Sequence, residues 1–164
     1  MELKIRPAPM RKSLVVKAEV RRAFDVFVSR MHAWSPAAHS LLGSRKDIVI
    51  EPYAGGRWYE TSESGAQADW GKVLVWEPPH RLVLAWQLDA NFSYDPDLVT
   101  EVEVRFEAED AGSTRIEFEH RNLERFGARA AETAESLDSE GGWSGSLALY
   151  ARLIEREKPN DERA

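Results

Sequence analysis

The sequence of 164 residues contains no cysteine, which excludes disulfide bonds and thiolate metal ligands. It has no apolar run long enough to cross a bilayer, and its first segment, MELKIRPAPMRKS, lacks the apolar centre of a signal peptide. A net positive charge is also lacking: the formal net charge is −6 at pH 7, whereas nucleic acid and anionic membranes demand a basic surface. These absences predict a cytoplasmic protein that binds neither nucleic acid nor membrane.

Catalytic and metal-binding motifs are missing as well. The four histidines, His32, His39, His80 and His120, include no pair at the spacing of an HExxH zinc site, and no G-x-S-x-G nucleophile motif occurs. The stretch GGWSGS could in principle hold an anion at a helix start, but it lacks the phosphate-loop lysine and follows no strand. We therefore expect no metal and no cofactor, and we interpret GGWSGS as a plain helix start.

Tryptophan is the residue type that stands out among those present. The chain has six, spread along its length: Trp34, Trp58, Trp70, Trp76, Trp86 and Trp143. Large aromatic side chains occur mainly in cores and in binding sites, so each tryptophan is a candidate for one or the other.

Apolar spacing predicts a strand, a helix, six strands and a long final helix. The predicted strands are 11–18, 46–52, 57–61, 70–77, 81–88, 98–109 and 113–122, and the predicted helices are 19–30, 128–137 and 143–156. Short turns between successive strands favour an antiparallel meander, with a loop or broken helix after residue 31. The link 89–97 is longer and carries Phe92 and Tyr94, which suit a loop that folds over apolar groups.

The order of several short motifs resembles the SRPBCC (START-like, helix-grip) superfamily. The run EPYAGGRWYETSESGAQADWGKVLVWEPPHRLVLAW, then GSTRIEFEH and GGWSGSLALYARLIE, is most similar to the C-terminal domain of the activator of heat-shock protein 90 ATPase. The resemblance covers roughly residues 11–156 and implies one α+β domain over 1–164. Its helix-grip fold, of order β-α-β6-α, wraps a curved antiparallel sheet around a long C-terminal α-helix. It further implies an apolar cavity between sheet and helix, but no particular reaction.

Strand alternation selects the candidate wall of that cavity. In TRIEFEH, Ile116, Phe118 and His120 share the dry face, and Trp86 and Phe106 lie on the apolar faces of their own strands. For any one of these residues, simple core packing is the competing interpretation. The predicted ligand-binding residues are Trp34, Trp58, Glu60, Trp70, Trp86, Phe106, Phe118, His120, Trp143 and Tyr150.

His120 and Glu60 are the polar members of this set. A buried imidazole needs a hydrogen-bond partner, and a carboxylate on the same interior would fix its tautomer. Such a pair can act as acid and base, which makes both weak catalytic candidates. The alternative is a structural histidine satisfied by a carbonyl or by Tyr150.

Three functions remain open from the sequence. The first is a protein that binds a hydrophobic or aromatic small molecule without catalysis, and the second is a cyclase- or hydrolase-like enzyme using His120 with Glu60 or Tyr150. The third is a chaperone-associated module. Direct ATPase stimulation is not expected of it, because the matched region begins near residue 11 and the named activator has a further N-terminal domain. A homodimer is compatible with the sequence, which indicates no interface.

Overall fold

Seven strands form one antiparallel sheet in this computed structural model, which describes residues 8–36 and 39–157. Their spatial order is β1-β7-β6-β5-β4-β3-β2, so β2 to β7 follow one another as a meander and β1 closes on β7. The strands are β1 (Met10–Val16), β2 (Arg45–Ile50), β3 (Arg57–Ser62), β4 (Gln67–Glu77), β5 (Arg81–Trp86), β6 (Thr100–Asp110) and β7 (Ser113–Arg121). The predicted antiparallel meander is confirmed.

Four helices and one 3-10 segment complete the described chain. They are α1 (Val20–Ser29), α2 (Met31–Trp34), the 3-10 segment Leu123–Arg129, α3 (Ala130–Asp138) and α4 (Trp143–Arg156). The α+β class and the order β-α-β6-α are therefore confirmed, with α2 and α3 as shorter additions. The segment predicted as a loop or broken helix begins with α2, and its residues 37–38 lie outside the described residues.

The two faces of β7 differ as its alternation predicts. Ile116, Phe118 and His120 are buried and lie opposite Phe106, Val104 and Val102 of β6, whereas the intervening charged residues point outward. A pleated strand sends successive side chains to opposite faces, so two strands in register build one continuous apolar surface. This surface is the concave side of the sheet.

Each strand lies where it was predicted, with ends that differ by up to three residues. Half of the polar run 62–69 is strand, because β3 extends to Ser62, β4 begins at Gln67, and Thr61 pairs with Gln67. Backbone hydrogen bonds of a ladder do not require apolar side chains, so a hydropathy pattern misses such ends. At the other extreme, β5 ends at Trp86, two residues before the predicted end.

The helix α4 is tied to both the sheet and α1. Trp143 packs on Phe118 of β7 at a centroid distance of 4.6 Å, and Tyr150 contacts Phe27 of α1 at 5.4 Å. The Tyr150 hydroxyl donates to the carbonyl of Ala23 at 2.6 Å, and burial raises the pKa of this phenol. The aromatic side chains of α1 and α4 thus fill the centre of the concave side, and the remaining open space lies near the start of α4.

The outer face of β5, β6 and β7 carries a charged cluster around Glu103. Register places Glu103 directly opposite Glu119, an unfavourable pair that Arg121 offsets by donating to both, at 2.5 Å and 3.0 Å. Arg81 and Arg105 reach the same Glu103 carboxylate at 2.7 Å and 2.9 Å. Although burial opposes ionisation, the hydrogen bonds from Arg121 and Arg81 lower the pKa of Glu103 to about 2.

Candidate functional site

A pocket of about 310 Å³ opens beside the first turn of α4. Strands β4 and β5 supply one wall, α2 and the residues after it another, and the chain between α3 and α4 a third. The lining residues are Met31, Trp34, Ser35, His39, Trp70, Trp86, Ala90, Asn91, Phe92, Ser136, Leu137, Gly141, Gly142, Trp143 and Ser146. Most of these residues are apolar or aromatic and the others are small polar residues or His39, a composition that is usual for small-molecule pockets.

Four aromatic side chains hold one another in the wall. Trp86 lies at the centre, with ring centroids 5.4 Å from Trp143, 5.9 Å from Phe92 and 6.0 Å from Trp70. Phe92 also contacts Trp70 at 5.6 Å, and all four contacts are edge-to-face. Edge-to-face contacts fix ring orientation, so the wall is a preformed aromatic surface.

The sequence brings Trp70 and Trp86 together through a close approach of β4 and β5. Gly71 pairs with Trp86 in the ladder, and a Cβ at position 71 would lie 1.7 Å from the carbonyl oxygen of Ala85. Only glycine fits there, because any side chain would displace the backbone of β5. The Trp70-Gly71 dipeptide therefore sets the spacing of the two indoles.

The loop after β5 contributes Phe92 by a tight local turn. The Asp89 carboxylate accepts hydrogen bonds from the amides of Asn91 and Ser93, both at 2.9 Å, and Phe92 has a positive φ of 62°. Such a φ costs free energy in a bulky residue and persists only where surrounding contacts compensate. Phe92 reaches the pocket, whereas Tyr94 of the same loop is exposed.

Glu60 is fully buried behind the wall and does not line the pocket. Its carboxylate accepts from the Leu41 amide at 2.7 Å, the Leu42 amide at 3.1 Å, the Ser40 hydroxyl at 2.8 Å and the Trp70 indole at 2.9 Å. Four donors satisfy a buried carboxylate. Glu60 thereby joins the segment 40–42 to a wall tryptophan.

His120 is also fully buried and does not line the pocket. The Trp143 indole donates to its Nδ1 at 3.1 Å, so its Nε2 carries the proton and donates to the Thr100 hydroxyl at 2.7 Å. That hydroxyl donates in turn to the carbonyl of Trp86 at 3.2 Å. Burial lowers the pKa of His120 to about 3, so the ring is neutral at neutral pH.

Glu60 and His120 belong to two separate hydrogen-bond networks. The four donors to Glu60 come from Ser40, Leu41, Leu42 and Trp70, and the bonds on both imidazole nitrogens of His120 involve Thr100 and Trp143 instead. Thr100 and Trp143, rather than a carboxylate or Tyr150, fix the tautomer of His120. The acid–base pair that the sequence suggested is not assembled in this structure.

His39 is the ionisable side chain that lies at the pocket. Its Nε2 contacts the carbonyl oxygen of Gly141 across the opening, and its ring lies 5.8 Å from that of Phe92. Because a carbonyl only accepts, Nε2 carries the proton and Nδ1 remains an acceptor. The sequence analysis assigned no role to His39, which has no second histidine at the spacing of a metal site.

Of the ten predicted ligand-binding residues, four line this pocket: Trp34, Trp70, Trp86 and Trp143. The other six lie in the packed interior: Trp58, Glu60, Phe106, Phe118, His120 and Tyr150. Trp58 backs the wall, at 5.5 Å from Trp70 and 5.8 Å from Trp86. The sequence analysis did not select Phe92, His39 or Ser146 as ligand-binding residues. The two aromatics of loop 89–97 and the GGWSGS stretch were the available signals.

Within residues 8–36 and 39–157, no group of three His, Asp or Glu side chains is placed to hold a metal ion. In the same part of the chain, no helix is both long and apolar enough to cross a membrane.

Comparison with known proteins identifies relatives over almost the whole chain. A family model described as Activator of Hsp90 ATPase homolog 1-like protein matches residues 17–155. This match agrees with the resemblance seen in the sequence motifs. Comparison with curated proteins gives no match.

The solved structures that resemble this chain include proteins with different described roles. Txn09, an anthrahydroquino-gamma-pyrone synthase solved with the ligand SUM, is 39% identical over 89% of this chain and 96% of its own, with a TM-score of 0.64. CalC, a self-sacrificing resistance protein from Micromonospora echinospora, is 27% identical over 90% and 94%, with a TM-score of 0.66. The Aha1 dimer from Colwellia psychrerythraea, 15% identical over 93% and 100% with a TM-score of 0.61, shows a common fold.

Proposed function

This chain belongs to the family of Activator of Hsp90 ATPase homolog 1-like proteins, and from that premise we propose that it binds a compact aromatic small molecule in the pocket beside α4. The observation that carries the proposal is the aromatic wall. Trp70, Trp86, Trp143 and Phe92 are held edge-to-face around one opening. A rigid aromatic wall binds a flat apolar ligand with little loss of side-chain entropy.

Size and charge narrow the class of ligand. A volume of about 310 Å³ is at the small end of the ~300–1,000 Å³ that pockets for drug-sized ligands occupy. None of the described lining residues is Asp, Glu, Lys or Arg. An ion would lose its hydration there without gaining a countercharge, so the ligand we propose is uncharged.

The described activity of one relative supports an aromatic ligand. Txn09 is described as a synthase of an anthrahydroquino-gamma-pyrone and shares 39% of its residues with this chain. That description concerns Txn09, and we extend only the binding of a fused aromatic compound to this chain.

Tryptophan fluorescence tests the proposal directly. We expect 2-ethylnaphthalene to change the emission of the wild-type protein in a saturable manner. Ala90 lies in the loop at the pocket, so Ala90→Trp fills the space with little effect on the core, and it should weaken binding about tenfold or more. Trp76→Phe is the matched control, because Trp76 packs on Phe24 and does not line the pocket. A non-saturating response, or equal affinity in Ala90→Trp, would contradict the proposal.

Catalysis on the bound aromatic compound is a second candidate, favoured by the 39% identity with a synthase. His39 is the residue we assign to it, because its Nδ1 is an available acceptor at the pocket opening. Incubation with an anthrahydroquinone, followed by mass spectrometry, tests for turnover. We expect His39→Ala to abolish product while leaving fluorescence-detected binding in place. Absence of product from the wild-type protein would remove this candidate.

Association with protein partners and location in the cell stay predictions. The family description supports a chaperone link, and the Aha1 dimer is a relative in fold that self-associates. Light scattering of the purified chain measures its mass in solution, and a pull-down with heat-shock protein 90 tests stoichiometric binding. The cytoplasmic assignment rests on the composition of the sequence and is tested by fractionation.

A further inference from the structure

The first turn of α4 borders the pocket and is not capped by a side chain. Gly141 and Gly142 line the pocket, and Gly142 is the N-cap residue, which has no side chain to accept from the first amides. The hydrogen bonds of the helix begin with the Ser146 amide, which donates to the Gly142 carbonyl at 3.1 Å. The amides of residues 143–145 therefore have no partner among the described residues, as expected for an uncapped start.

A buried hydroxyl next to this turn gives an independent indication of a ligand. Ser146 is only 4% exposed and lines the pocket, one turn after Gly142. Its hydroxyl has no hydrogen-bond partner within the described part of the chain, whereas the neighbouring Ser144 hydroxyl donates to the Asp138 carbonyl at 2.8 Å. Because Ser146 lines the pocket, a ligand oxygen there can accept a hydrogen bond from this hydroxyl.

The charge around the start of α4 determines whether a neutral or an anionic ligand oxygen binds there. The start of a helix carries about half a positive charge, which favours an electron-rich atom without neutralising a full anion. No Lys or Arg is among the described lining residues to supply the rest. A neutral acceptor, such as a carbonyl oxygen, gains the hydrogen bond and avoids the desolvation of a charge.

We propose that Ser146 and the first turn of α4 form an acceptor-binding subsite that takes the carbonyl oxygen of an aromatic ketone, with its ring system against Trp86 and Trp143. This inference rests on the proposed function and specifies the ligand of the same pocket. The Ser146 hydroxyl donates to the ligand oxygen, and the aromatic wall holds the ring. The subsite thereby gives the pocket selectivity among flat ligands of similar shape.

Three probes of similar shape test the subsite in the full chain: 2-acetylnaphthalene, 2-ethylnaphthalene and 2-naphthoate. Affinities are measured by tryptophan fluorescence for the wild type, Ser146→Ala and the matched control Ser144→Ala. Alanine is favourable inside a helix, so Ser146→Ala should keep the fold, which circular dichroism checks. We expect Ser146→Ala to bind the ketone about three- to tenfold more weakly and the hydrocarbon unchanged, the loss typical of one hydrogen bond. Ser144→Ala should match the wild type for both ligands.

Each other outcome overturns a distinct part of the inference. Equal effects of Ser146→Ala on ketone and hydrocarbon, or no effect on either, would remove the subsite and leave the proposed function in place. Preferential binding of 2-naphthoate that Ser146→Ala abolishes would overturn the neutral acceptor in favour of an anion. If 2-ethylnaphthalene fails to bind the wild type, the proposed function fails, and the subsite fails with it.

Discussion

At the scale of single residues, His120 acts on the pocket from behind its wall. One nitrogen accepts from the Trp143 indole, and the other bonds Thr100, which in turn holds the carbonyl of Trp86. Both tryptophans line the pocket, and the imidazole does not. A hydrogen-bonded network in a low-dielectric interior fixes side-chain geometry more firmly than apolar packing alone. The histidine is therefore a positioning residue.

Removing the His120 imidazole should destabilise the fold. We expect His120→Ala to lower the free energy of unfolding by about 2–4 kcal/mol, because it leaves a cavity, deprives the buried Trp143 indole of its acceptor and removes one of the two hydrogen bonds of the Thr100 hydroxyl. Urea denaturation at pH 7 measures the change. His80→Ala, at an exposed position in the turn before β5, is the control and should remain within about 0.5 kcal/mol of the wild type. Similar small effects at both positions would contradict the positioning role.

At the scale of secondary-structure elements, the sheet was predictable and the pocket only in part. Alternation within β7 depends on local sequence, so the inward direction of Phe118 and His120 follows from parity. The pocket depends instead on where the loop with Phe92 and the chain before α4 meet β4 and β5. Those contacts join distant parts of the sequence, and nothing local in an aromatic residue distinguishes a wall from a core position.

The segment before β2 is held in place by β3 through Glu60. Its carboxylate accepts from the amides of Leu41 and Leu42. Glu60→Gln replaces one acceptor oxygen by a donor, so at least one buried amide loses its partner, at a cost of about 1–2 kcal/mol. Hydrogen exchange measured by mass spectrometry should then show the Leu41 and Leu42 amides exchanging about five- to thirtyfold faster.

Glu63→Gln provides the comparison for this loop, because Glu63 is exposed in the turn between β3 and β4. We expect it to leave exchange at 41–42 unchanged. If Glu60→Gln also leaves that exchange unchanged, the carboxylate does not hold the segment.

At the scale of the whole molecule, two buried groups with shifted pKa values govern acid stability in different pH ranges. Burial lowers the pKa of His120 from 6.5 to about 3, and the arginines around Glu103 lower its pKa from 4.5 to about 2 against the effect of burial. In both cases the unfolded state binds more protons within the range, so stability falls as the pH falls. The two pH ranges differ because the unfolded chain begins to protonate histidine at a higher pH than glutamate, so the contribution of His120 to stability declines first.

The histidine range should be visible between pH 6.5 and pH 4.5. The contribution of His120 to the free energy of unfolding is complete above pH 6.5. It declines at lower pH because the unfolded chain binds a proton at this ring and the folded protein does not. We expect the wild type to lose about 2–3 kcal/mol more than His120→Gln across this range, because glutamine keeps a donor and an acceptor but does not titrate. Urea denaturation at each pH gives both curves. Parallel curves would show that His120 does not become protonated on unfolding.

The charged outer face should dominate below that range. Glu103 is 8% exposed and accepts from Arg81 and Arg121, so its stabilisation is present above pH 4.5 and declines as the pH falls towards 2. We expect Glu103→Gln to cost about 2–3 kcal/mol at pH 7 and to flatten the stability curve between pH 4.5 and pH 2. Glu107→Gln, an exposed change on the same strand, should do neither. Because neutralising Glu103 also relieves its repulsion with the opposing Glu119, the expected cost is the net of the lost arginine contacts and this relief. A variant as stable as the wild type at pH 7 would mean that this repulsion and the desolvation of the carboxylate together cancel the attraction of the arginines.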